Sequence, residues 1–152
     1  MRYALLIAAF LGLTQPAAAD GAWIVAPAPQ GGGSIGYVPT SIAPAKTANH
    51  KLITTMVYAT AAQNFAGKQA NFLMARVEFD CPAKKAQTIA LQAFDADSKQ
   101  VGSILKSAGF NAVDGDPWMS FVEPIACDGQ TPQGNVPASD QSDAMQKMKA
   151  HG

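Results

Sequence analysis

Long apolar runs are what this chain most plainly lacks. The longest, Ala4 to Leu13 within MRYALLIAAFLGLTQPAAAD, spans about ten residues, against the roughly 20 that a helix needs to cross a bilayer. Cysteine and histidine are scarce, with only Cys81, Cys127, His50 and His151. That excludes a disulfide-dense scaffold, and without a CxxC or HxxxH spacing it leaves a four-ligand zinc site without its usual framework. An excess of one charge is missing too, since 11 Lys and Arg stand against 11 Asp and Glu. A neutral chain lacks the basic surplus from which nucleic-acid binders draw most of their affinity. It also lacks a polybasic patch for an anionic membrane surface.

What is present at the start has the layout of a secretory signal peptide over residues 1–19: Arg2, the apolar stretch, then Ala17-Ala18-Ala19 before Asp20. Cleavage after Ala19 leaves residues 20–152, a length suited to one domain with its own core. Loss of Arg2 brings the balance to ten basic against eleven acidic residues. The first cysteine is Cys81, so no lipid-bearing cysteine stands at the cleavage point. The expected product is exported, periplasmic or extracellular, with neither a membrane span nor a lipid anchor.

In an oxidising compartment two cysteines allow one intramolecular pairing. Joining Cys81 to Cys127 would restrict the unfolded chain by about 4 kcal/mol on the loop-entropy model. The competing uses are weaker. A catalytic thiol wants an imidazole base, and His50 sits in a Thr-Ala-Asn-His-Lys stretch that reads as a solvated loop. No cofactor is expected.

Along the chain, Ala22 to Pro27 reads as a short strand. Gly31, Gly33 and Gly36 formally fit GxGxxG, but Ile35, Tyr37, Val38 and Pro39 follow where a helix would have to open. The expectation is a flexible loop between two strands. KLITTMVYAT and NFLMARVEFD are strand-like, the second alternating apolar and polar residues. The AAQNFAGKQA stretch between them reads as a hairpin, and Gly67-Lys68 lacks the remaining residues of a phosphate-binding loop. Two further strands flank the polar turn Asp95 to Lys99, which lacks the glycine and glutamate of a calcium loop.

Asp114-Gly115-Asp116-Pro117 is read as a turn before a last strand, Trp118 to Val122, with Trp118 and Phe121 at core and rim. Glu78, Asp80 and Glu123 are expected as solvated or edge-facing acids in β segments. Residues 20–127 thus form the β domain, and 128–152 a flexible linker plus a short helix, Ser139 to Ala150. Asp140 would cap that helix, Ala144, Met145 and Met148 would share its apolar face, and Asp143 would pair with Lys147. Marginal alone, it is expected to dock weakly on the sheet through Met145 and Met148, the alternative being a frayed end. The fold class is α+β, mainly β: an antiparallel sheet of five to seven strands, one or two short helices and one disulfide.

The ordered set Trp23, Tyr37 with Ser41-Ile42, Tyr58, Asp80-Cys81, Phe94-Asp95, Gly102, Trp118, Pro124 and Cys127 resembles the surface-adhesin protein E family of Gram-negative envelope proteins. The resemblance implies a small antiparallel sheet crossed by a helix, bridged cysteines, and a protein partner in the envelope or the host matrix. Between the last tryptophan and the second cysteine the chain is shorter than the family's usual segment. The crossing helix is therefore expected to be absent there or supplied by Ser139 to Ala150. The functional expectation is a non-catalytic exported interaction module, with Tyr37, Phe65 and Lys68 as contact positions near loops. The alternatives are a carrier holding a small apolar ligand between sheet and C-terminal helix, or an enzyme using Cys81 or His50.

Overall fold

The computed structural model describes residues 21–29, 31–105 and 109–152; the expected leader lies outside them. Strands β1 (Trp23–Pro27), β2 (Gly33–Pro44), β3 (His50–Phe65), β4 (Lys68–Asp80), β5 (Lys85–Phe94) and β6 (Gln100–Ile104) follow one another. Then come β7 (Asn111–Ala112), α1 (Pro117–Asp128), β8 (Val136–Ala138) and α2 (Gln141–His151). The strands make one antiparallel sheet in the order β6-β5-β4-β3-β2-β1-β8, with β7 also paired to β5. The mainly-β class, the antiparallel sheet and the disulfide stand as expected. The count is eight rather than five to seven, because β7 and β8 have two and three residues, too few for alternation to show in a sequence.

Successive residues of a strand point to opposite faces, and each face carries its own core. On one side Trp23, Val25, Val38, Met56, Phe72 and Phe94 pack with Ala144, Met145 and Met148 of α2. On the other, Ile35, Tyr37, Ile53, Val77 and Phe79 pack with Val122, Ile125 and Ala126 of α1. The sheet therefore separates the two helices. Among the described residues no helix is long and apolar enough to cross a membrane.

Two local expectations are corrected. The glycine run is a turn and a strand opening, not a loop. Gly31 and Gly32, both at φ +73°, reverse the chain, and β2 starts at Gly33 because close packing demands it. A Cβ there would lie 2.1 Å from the carbonyl oxygen of Tyr58. Second, Trp118 to Val122 is helical. Asp116 is an N-cap, its carboxylate accepting the amides of Trp118 and Met119 at 3.0 and 3.1 Å, and Pro117 opens the first turn, where no N–H is needed. Glu123 accordingly lies on α1, which fills the stretch where the crossing helix was expected to be missing.

The expected C-terminal helix is present as α2 and docks on the sheet through Met145 and Met148. Strand β8 pairs with β1, and Met145 and Met148 are buried. Asp140 accepts the Asp143 amide at 2.9 Å, and Lys147 reaches Asp143 at 2.8 Å.

A register break in β2 between Val38 and Ala43 is held by side chains. Ser41 Oγ donates to the Val38 carbonyl at 2.7 Å and accepts the Thr54 amide at 2.7 Å. Arg76 Nη1 donates to the Ser41 carbonyl and to Thr54 Oγ1, each at 3.0 Å. Burial lowers the Arg76 guanidinium from its usual value. These bonds occupy the group and fit a structural role for it.

Candidate functional site

A hollow of about 530 Å³ lies beside α1. Its walls are apolar: Pro29 after β1, then Pro117, Phe121, Pro124 and Ile125 on the helix, and Pro132 beyond it. Gln130 and Thr131 supply side-chain polar groups on the far wall. A second hollow of about 180 Å³ adjoins it across Pro29 and Pro117 and reaches Trp118, Ile35 and Val57. Among the described residues no acidic or basic side chain lines either hollow.

Each wall has a local cause. Val122, Ile125 and Ala126 turn the buried stripe of α1 to the sheet, which leaves Phe121 and Pro124 on the flank. Trp118 is fastened to the sheet by its indole N–H, 3.4 Å from Thr55 Oγ1, and Thr55 in turn donates to the Gly36 carbonyl at 2.9 Å. The helix ends at Gly129, left-handed at φ 68°. There the Gln130 amide folds back to the Pro124 carbonyl at 3.1 Å, placing Gln130 to Pro132 opposite the helix. Pro124 also has no N–H to return to the carbonyl of Ser120, a residue of the groove. The groove is thus an apolar slot with a few polar groups at its rim, the chemistry that suits an uncharged ligand.

The disulfide anchors this architecture. Cys81, directly after β4, bonds Cys127 in the last turn of α1 with a Cα–Cα distance of 5.7 Å. The bond ties the end of the helix to the end of the sheet and occupies the thiol that an enzyme reading would have needed.

His50 is not a solvated loop residue. It opens β3, where it stands in register with Asp80 on β4. Its Nδ1 lies 2.8 Å from Glu78 Oε1 and its Nε2 3.5 Å from Asp80 Oδ2. Glu78 also accepts from Gln87 Nε2 at 2.9 Å, and the Phe110 ring meets the imidazole edge-on at 5.3 Å. Both ring nitrogens face carboxylates of the same fold, and the His50 side chain is 12% exposed. Glu78 and Asp80 are correspondingly network partners rather than solvated acids. Among the described residues no group of three or more His, Cys, Asp or Glu is arranged to hold a metal ion.

The expected contact positions scatter. Tyr37 is 4% exposed and belongs to the α1-side core, where burial pushes its phenol pKa up; it cannot serve as a surface contact. Phe65 and Lys68 meet as register partners at the β3–β4 turn, and neither lines the groove. Lys68 is exposed, whereas Phe65 lies on Gly102 of β6, where a Cβ would come within 2.6 Å of its ring. The interface between sheet and α2, expected as the place for a carried ligand, is filled: Gly36 lies beneath Trp23 and Met148, each 3.3 Å from where a Cβ would be.

Sequence alone does not group the groove residues, because Pro29, Phe121 and Pro132 are far apart in the chain. The Asp-Pro pair at 116 and 117 was the one local signal for the helix that brings them together. Comparison with protein-family models, curated proteins and solved structures finds no match.

Proposed function

We propose that this chain is an exported, non-catalytic interaction module of the adhesin E-like kind, and that the groove beside α1 is its working surface. One observation carries the reading: an open, apolar slot of about 530 Å³ without a charged wall among the described residues, into which an uncharged apolar segment of a protein partner fits. The resemblance in spaced aromatic and cysteine residues supports export and a protein partner. The engaged Cys81 and the enclosed His50 support a non-catalytic role. Binding is noncovalent and free of cofactors.

Peptide display against the disulfide-intact protein tests this. Apolar, uncharged peptides should be selected, and Phe121→Lys should weaken their binding about tenfold or more, as loss of an interface anchor does. Selection of charged peptides, or binding indifferent to Phe121→Lys in a folded variant, would overturn it. The volume also falls within the range of small-molecule sites, which favours a carrier of a small apolar ligand as the second reading, with the ligand in this groove. Native mass spectrometry of protein purified from its producing cell separates the two, since a carrier retains a bound mass that Phe121→Lys removes.

A further inference from the structure

The two edges of the sheet are built differently. Strand β8 is short, contains Pro137, and has its Pro137 carbonyl covered by the Lys147 ammonium at 2.7 Å; these are devices that keep an edge from pairing. Strand β6 closes the other end of the order with QVGSI, which has neither proline nor charge; a register break at Val101 is its one irregularity. Of the large hydrophobic side chains exposed among the described residues, Ile104 (47%) ends this strand and Leu105 (71%) follows it directly. An uncharged edge ending in exposed apolar side chains is a template for another strand.

We propose that β6 pairs antiparallel with β6 of a second copy of this chain, extending the sheet across a two-fold axis at Gly102. That register sets Gln100 opposite Ile104 and Val101 opposite Ser103, so no like charges meet along the pair. Lys99 of each copy comes opposite Leu105 of the other, and its aliphatic stem covers the most exposed apolar side chain while the ammonium stays in water. Gly102 is where Phe65 lies across β6, so the axis also brings the two Phe65 rings toward each other. A foreign strand carrying charge would lose this match. The patch is small beside an obligate interface, and the dimer is accordingly reversible and concentration-dependent.

Sedimentation of the disulfide-intact protein over about a hundredfold range of concentration should show monomer passing to dimer. Amide exchange at Val101 and Ser103 should slow with concentration in parallel. Leu105→Lys, on a largely solvated side chain, and Ile104→Lys should each weaken the dimer about tenfold or more. Circular dichroism and the intact disulfide mass establish that both variants fold. A monomer throughout the range overturns the proposal, as does a dimer indifferent to both variants. So does β6 protection that arises only when envelope extract is added, which would assign the edge to a foreign strand.

Discussion

His50 and Glu78 are joined at 2.8 Å across β3 and β4, with Asp80 on the opposite side of the imidazole. Two carboxylates on one half-buried patch need such a partner. Without it, Glu78 keeps Gln87 and loses its other side-chain donor. His50→Ala should therefore lower stability by about 1–3 kcal/mol, the range for leaving a buried hydrogen-bonding group unsatisfied. Urea unfolding of disulfide-intact protein measures this, with His50→Gln recovering part of the loss. Unchanged stability would contradict the structural role.

The Cys81–Cys127 bond closes a separation of 46 residues. Replacing both cysteines by alanine should cost about 4 kcal/mol on the loop-entropy model. Because Cys127 sits in the last turn of α1, peptide binding in the groove should weaken as well. Thiol titration of the folded, unreduced protein should find no reactive thiol. One or two would sink both expectations.

Legibility in the sequence followed the range of the cause. Ala75, Val77 and Phe79 alternate with Arg76, Glu78 and Asp80 because that end of β4 buries one face on the α1 side, while Phe72 and Met74 turn the other face to α2. Met145 and Met148 share a helical face because α2 docks through them, and these patterns are local. The pairing of the cysteines followed from their number. Trp118 to Val122 reads as a strand because four of its five residues, Trp118, Met119, Phe121 and Val122, are aromatic, apolar or β-branched, whereas the helical stripe 118, 122, 125, 126 emerges only over a longer window. The partners of His50 lie 28 and 30 positions away on β4, so only the β3–β4 register reveals them. Gly33 is determined by a carbonyl of another strand, and the groove by three distant segments.

Trp23 is fully buried, yet its indole Nε1 has no hydrogen-bond partner among the described residues. An enclosed N–H without an acceptor costs about 1–3 kcal/mol, which offsets part of what the ring contributes by packing. Trp23→Phe should therefore shift stability by only about 1 kcal/mol, because the lost contacts and the relieved donor oppose each other. Trp23→Ala should cost about 3–5 kcal/mol, since it leaves a cavity against Met148 and Gly36. Denaturation midpoints of the two variants give the comparison. A Phe variant as unstable as the Ala variant would mean that the indole N–H is satisfied in solution.

Helix α2 should also be the acid-sensitive element. The Asp143 amide bonded to the Asp140 carboxylate holds the Asp140 pKa below its ordinary value, and the Lys147 ammonium does the same for Asp143. Both groups are depressed in the folded chain, so the unfolded chain takes up protons first as pH falls. Their stabilisation is complete above the unfolded carboxylate pKa of about 3.9 and is lost as pH drops through the lower folded values. Protonated Asp140 caps less well, protonated Asp143 releases Lys147, and the grip of Met145 and Met148 on the sheet weakens. Between neutral pH and strong acid, α2 amides should exchange faster before those of β3 and β4. Trp23 emission should shift as Met148 withdraws from its ring. Asp140→Asn, which keeps a capping oxygen without the titration, should flatten part of this pH dependence. Loss of β3 protection in step with α2 would show instead that the helix and sheet unfold as one unit.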